Sequence, residues 1–246
     1  MIVEFIGSTG AGKSTLISEV ERRLSDKTEV STAYDIVASP FGLRWVTHPS
    51  VRNIIQEIIS FPFFVISLPR HKKFVSLNLK LWLRRAKLNL FTFNNLRSLE
   101  RKIGVYEIIR RNDQNKIILV DEGTVLTAHH VFVFTEQDFT RDDYASFSRL
   151  LPLPDVIIYI QAPVKTLLKR SLERTKPPRE MRAKDPELNE LYLQRAVNMF
   201  DQLIAQERIR NRVLTVENPD SNNGTIGNLA DLISEFILNK KSSING

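Results

Sequence analysis

The chain has 246 residues, 42% of them hydrophobic and 26% charged, with no cysteine and four histidines; this is enough apolar material for one sizeable core, and a single domain is expected. Disulfides and thiolate metal sites are excluded, and the histidines show no spacing suited to structural zinc. The net charge of +7 is uneven, because residues 65–111 hold twelve Lys and Arg against two Glu, a net +10 that leaves the remainder at −3. The excess therefore describes a local surface rather than a uniformly basic protein.

An apolar run at Ile2–Ile6 ends in Gly7 and predicts a buried strand. With a strand from the second residue no room precedes it for a secretory leader, and a cytoplasmic location is expected. After Lys13, Leu16, Ile17, Val20 and Leu24 fall on one helical face. A second strand is expected over Thr28–Tyr34, followed by the turn-rich Ala38-Ser39-Pro40-Phe41-Gly42. From Val51 to about Asn112 the pattern predicts two or three helices. Its apolar run is broken by Gln56, Glu57 and Pro62 and falls short of the ~20 residues of a membrane crossing, so no transmembrane helix is expected. Apolar helical stripes of this kind mostly bury in a core or a homodimer. Peripheral membrane or nucleic-acid contact through basic residues 65–111 is the less favoured use.

Further strands are expected at Lys116–Val120, Val156–Ile160 and Val213–Val216. A closing helix places Ile226, Leu229, Leu232, Ile233, Phe236 and Ile237 on one face. Strands alternating with helices call for an α/β fold with a parallel sheet covered on both faces. His129 and His130 are adjacent, so on a helix they point to different faces; packing or surface roles are expected rather than a shared metal.

Gly7-Ser8-Thr9-Gly10-Ala11-Gly12-Lys13-Ser14, followed by Thr15, satisfies G-x-x-x-x-G-K-[ST] between a strand and a helix. The glycines let successive backbone N–H groups turn inward, and the helix start adds its positive dipole end. Lys13 is placed for the β- and γ-phosphates of ATP and the Ser14 hydroxyl for Mg²⁺. Lys116–Val120 ends in Asp121 and Glu122. A metal on a phosphate loop needs an acidic group across from the hydroxyl, and Asp121 at the end of a neighbouring strand fits. Glu122 has three readings: general base, partner of a metal-bound water, or partner of an acceptor hydroxyl. Arg170 and Arg174 lie four apart on one helical face, and Arg179 and Arg182 follow in a Pro-containing segment. Mobile cations beside a phosphate loop suit phosphoryl transfer, which needs positive charge around the migrating group and exclusion of water.

In the GSTGAGKST loop, the IILVDEG strand end and the DVIIYIQAPVKTLLKRSLERT strand and helix, the chain resembles the thymidylate-kinase-like group of P-loop nucleoside and nucleotide kinases. The resemblance covers roughly two thirds of the chain. It implies a three-layer P-loop kinase-like fold with a five-stranded parallel sheet in the order 2-3-1-4-5. It also implies one domain over 1–246, with a helical acceptor-side insertion at about 51–112 and a basic flap at about 175–186. ATP and Mg²⁺ are the implied cofactors, with Arg170 and Arg174 contacting ATP and Asn218 near the base. Two departures concern the acceptor. Glu122 stands where the family has an Arg that helps hold it, and the segment after the second strand offers only Asp35 as an acidic group. A phosphate on the acceptor would meet repulsion at Glu122, which favours a hydroxyl acceptor with Asp35 as its base or hydrogen-bond partner. Arg179 and Arg182 are further acceptor-side candidates. The leading expectation is a small-molecule kinase; the rivals are a P-loop ATPase in which Glu122 orients water, and a nucleotide-gated binding module with little turnover.

Overall fold

In a computed structural model, which describes residues 1–83, 90–112, 115–133, 139–174, 181, 185–219 and 223–245, the aliphatic runs become one all-parallel sheet. Its strands are β1 (Ile2–Ile6), β2 (Val30–Thr32), β3 (Ile117–Val120), β4 (Val156–Gln161) and β5 (Val213–Glu217), in the order β2-β3-β1-β4-β5. Val3 sits opposite Leu119 on one side and Val156 on the other. Alternation along β4 divides the core. Val156, Ile158 and Ile160 pack with Leu16, Val20 and Ile233, while Ile157 and Tyr159 pack with Phe147 and Phe200.

The helices are α1 (Lys13–Ser25), α2 (Ala33–Ala38), α3 (Pro49–Leu83), α4 (Leu90–Arg111), α5 (Thr127–Phe132), α6 (Arg141–Leu150), α7 (Val164–Leu172), α8 (Pro186–Ile204), α9 (Glu207–Arg210) and α10 (Asn223–Asn245). Three expectations need correction. The second strand stops at Thr32, because Thr32 and Asp35 form a reciprocal capping box that starts α2 at once. On the closing helix Ile233 and Ile237 are buried as expected, but Leu232 is 49% exposed.

The third correction concerns α3. Gln56, Glu57 and Pro62 do not end it; it runs for 35 residues with Pro62 and Pro69 inside. Glu57 is instead paired with Arg97 of α4 at 2.5 Å, and both prolines lie on the exposed side, where the lost hydrogen bonds leave carbonyls facing water. Over Ser50–Leu83 the helix is long and apolar enough to cross a membrane, with a mean hydropathy of 1.4 in a window only 11% buried. The expected burial of its apolar stripe also fails in the first half. Ser60, Ser67, His71 and Asn78 turn inward, whereas Val51, Ile54, Ile58, Phe61, Val65 and Ile66 are 43–69% exposed.

The inward face of α3 allows close approach to α4. A Cβ on Gly104 would lie 2.4 Å from the Ser60 carbonyl oxygen, so the helices touch through backbone there. Further along, the fully buried Glu107 of α4 meets His71 at 2.8 Å and Arg70 at 3.0 Å, both on α3, and Arg110 at 3.0 Å. Burial alone would raise its pKa, but the hydrogen bonds from Arg110 and His71 outweigh it and hold the carboxyl below its ordinary value.

Candidate active site

The loop from β1 to α1 has the left-handed backbone its glycines were expected to supply, with φ of 81° at Gly10 and 91° at Gly12. Gly12 is needed twice over: its φ suits no β-carbon, and a Cβ would lie 2.5 Å from Asn218 Nδ2. Lys13 Nζ donates to the Gly7 and Ser8 carbonyls at 2.8 and 3.1 Å. Its pKa is lowered by burial, with the Asp121 and Glu122 carboxylates pulling the other way. Ser8 is buried and Thr15 exposed at the start of α1.

Across the sheet, the end of β3 delivers Asp121 to the loop: Ser14 Oγ donates to Asp121 Oδ2 at 3.3 Å. Desolvation raises the Asp121 carboxyl pKa and the Lys13 ammonium opposes it. Glu4, in the middle of β1, organises this second loop. Its buried carboxylate accepts from the N–H groups of Val125 at 3.2 Å and Leu126 at 3.1 Å. Burial pushes the Glu4 pKa up to about 7 against those hydrogen bonds.

Two cavities meet at this point. One, of about 370 Å³, is lined by the phosphate loop, Arg174, His129, His130 and Tyr192. The other, of about 550 Å³, lies between α1, α2, α3 and α4, with Tyr34, Asp35, Arg52 and Lys102 in its wall. Ser14, Arg101, Asp121 and Glu122 line both. Glu122 accepts from Arg101 Nη2 at 3.2 Å, so the positive charge that the sequence lacks beside Asp121 is supplied by α4. Arg52, Arg101 and Lys102 carry no motif and were missed by sequence reasoning. Only the net charge of 65–111 hinted at the last two, because distant helix positions become neighbours only once α3 and α4 fold together.

The remaining candidates separate by position. Arg174 Nη1 lies 3.5 Å from Thr9 Oγ1, at the phosphate-loop cavity. Arg170, one turn earlier, points elsewhere: it donates to the Asn218 carbonyl at 3.0 Å and reaches the Gly10 carbonyl at 3.5 Å, tying the loop to the end of β5. Asn218 is 2% exposed and donates through Nδ2 to the Ala11 carbonyl at 2.9 Å, so its side chain braces the loop from beneath. Asp35 lines the larger cavity, but its Oδ2 is engaged by the Thr32 hydroxyl at 2.7 Å in the α2 cap. Arg179 and Arg182, with most of the expected flap at 175–186, lie outside the described residues. His129 packs against His130, Tyr192 and Phe200, in keeping with the expected packing, and both histidines also line the phosphate-loop cavity. Burial lowers the His129 pKa to about 3 and that of His130 well below the usual range, so both are neutral there.

The residues present fit Mg²⁺ held mainly by water and phosphate oxygens. A hydroxyl and a carboxylate converge at Ser14 and Asp121, and among the described residues no group of three or more His, Cys, Asp or Glu is gathered to hold a metal alone. They fit a triphosphate as well, with a left-handed glycine loop, a helix start and an ammonium converging on one cavity.

No protein-family model matches the chain, and no curated protein sequence does. Solved structures do. Deoxyadenosine kinase from M. mycoides with bound dATP is similar at a TM-score of 0.51 and 16% identity, covering 95% of this chain and 98% of that one. The same enzyme with bound dCTP matches at 0.47 and 16%, covering 99% and 100%. Shikimate kinase from Acinetobacter baumannii in complex with shikimate matches at 0.42 and 14%, covering 98% and 94%. The sheet order, the phosphate loop and the first of these likenesses give one conclusion: the chain has the P-loop nucleoside and nucleotide kinase fold.

Proposed function

We propose that the chain is an ATP-dependent phosphotransferase that passes the γ-phosphoryl group to a hydroxyl of a small molecule, in the manner of the thymidylate-kinase-like enzymes. The carrying observation is the pair of cavities joined at Ser14, Arg101, Asp121 and Glu122: one has the chemistry for a triphosphate tail, and the other is a separate space of about 550 Å³ opening on the same groups. An ATPase needs room only for water, so the second cavity favours transfer over hydrolysis.

In this reading Lys13 and the loop amides hold the β- and γ-phosphates, and Arg174 stabilises charge on the transferring group. Ser14 and Asp121 would hold Mg²⁺, which would supply charge neutralisation for the phosphates. Glu122, held by Arg101 at the junction, accepts the proton of the acceptor hydroxyl and later releases it to solvent. Asp35 is a wall residue whose capping bonds leave it less suited to that proton. The test is ATP consumption against a panel of nucleosides, nucleoside monophosphates, sugars and lipid alcohols, each with and without acceptor. Lys13→Ala should lower acceptor-dependent turnover about 10²–10³-fold with an unchanged circular dichroism spectrum. An unchanged rate, or rapid hydrolysis indifferent to every acceptor, defeats the proposal.

A further inference from the structure

The acceptor cavity holds one group that neither the fold nor the proposed chemistry uses. Lys102 of α4 is 2% exposed, lines that cavity, and its Nζ has no hydrogen-bond partner among the described residues. Burying an ammonium without a counter-charge in contact costs several kcal/mol, so it is strongly disposed to take an anion. The carboxylates around it are already engaged. Glu4 is bonded to the Val125 and Leu126 amides and Glu122 to Arg101. Glu122 and Glu4 act on Lys102 without hydrogen-bonding to it. Burial lowers its pKa to about 8, with Glu122 opposing, so at neutral pH it is mostly charged. Arg52 stands in the same cavity wall, fixed by its bond to the Val46 carbonyl at 2.8 Å and its stacking 4.3 Å from the Tyr34 ring centre.

We infer that the acceptor carries, besides its reacting hydroxyl, a compact anionic group that pairs with Lys102 in the wall formed by α3 and α4. This rests on the phosphotransferase reading and names the class of its second substrate: a hydroxylated carboxylate or phosphate ester rather than a neutral alcohol. A neutral hydroxyl accepts a hydrogen bond from an ammonium but leaves its charge uncompensated, whereas an anion adds the attraction of an opposite charge in a low-dielectric wall. The sequence argument against an acceptor phosphate rested on Glu122 standing alone. With Arg101 on Glu122 and Lys102 nearby, that repulsion is offset.

The experiment fills the phosphate loop first. Calorimetry measures uptake of Mg²⁺ with a non-hydrolysable ATP analogue, and inorganic phosphate or acetate is then titrated into the saturated protein. Saturable binding of at least one anion is expected, weakened at least tenfold in Lys102→Gln and largely restored in Lys102→Arg. A parallel assay compares ribose, ribonate and ribose 5-phosphate as acceptors, and Lys102→Gln should raise KM for the anionic members at least tenfold. Phosphate and ribose 5-phosphate alone would define a phosphate ester, and acetate and ribonate a carboxylate. Nucleotide uptake with no anion binding, or with anion binding equal in wild type and Lys102→Gln, overturns this inference and leaves the phosphotransferase standing. No uptake of the analogue removes both.

Discussion

The two halves of the site are built from different materials. Around the phosphate-loop cavity the working surface is largely main chain: left-handed glycines, a helix start, and Asn218 bonded to a loop carbonyl from behind, with Arg170 donating to the Asn218 carbonyl and reaching that of Gly10. Around the larger cavity the working surface is side chains carried in from separate helices, with Asp35 on α2, Arg52 on α3, and Arg101 and Lys102 on α4. A surface of backbone tolerates almost no change of residue, since a single methyl group collides with it. A surface of side chains is re-specified one position at a time, but only while the helices that carry it keep their spacing.

Substitutions test that contrast. Gly12→Ala should do the most damage on the nucleotide side. A left-handed backbone with a β-carbon, plus its contact with Asn218 Nδ2 at 2.5 Å, costs about 2–4 kcal/mol. Calorimetry should show ATP affinity falling by more than tenfold. Gly104→Ala is the counterpart on the other side. Its Cβ would press on the Ser60 carbonyl at 2.4 Å, costing about 1–3 kcal/mol in chemical denaturation. By moving Arg101 and Lys102 it should impair acceptor use while ATP affinity stays near wild type, and equal loss of both would show that the halves are not independent.

A third test concerns the charge buried between α3 and α4. Desolvation, with help from Glu57, raises the Glu100 pKa to about 7. The folded state therefore keeps a proton that the unfolded chain has lost, and stability falls as pH rises from about 4.5 through 7. Glu100→Gln should remove that slope, raising stability at pH 8 by about 1–2 kcal/mol after allowance for solvent screening while changing little at pH 4.5, as read from thermal melts. The smallest effect is expected on the outer face of α3. Ile58 is 69% exposed, so Ile58→Glu should change stability by no more than about 0.5 kcal/mol. A larger loss would show that this face is covered in solution.

The difference in construction also explains what could be read from the chain. The loop Gly7–Thr15 is contiguous, and its chemistry is legible because the backbone path follows from the glycines themselves. The five strands and their order were foreseen, as was the position of Asp121 across from Ser14, since the end of a neighbouring parallel strand faces the loop. Arg101 and Lys102 were invisible because in sequence they resemble any charged helix surface; they line a cavity only once α3 and α4 pack together, as at Ser60 and Gly104, which no local pattern announces. The length of α3 was misjudged for a related reason, as Pro62 interrupts hydrogen bonding only on a face turned to solvent. Asn218 and Arg170 were placed in the right neighbourhood, but their side chains are spent on the loop.

Glu4 links the two halves mechanically. The phosphate loop grows from the end of β1, and the carboxylate two residues before that end grips the amides beyond Asp121. One pleated ribbon therefore sets the spacing between the ammonium of Lys13 and the acid opposite, like the bed of a lathe. Any stroke that encloses substrates is then made by parts mounted on that bed, α3 and α4 among them.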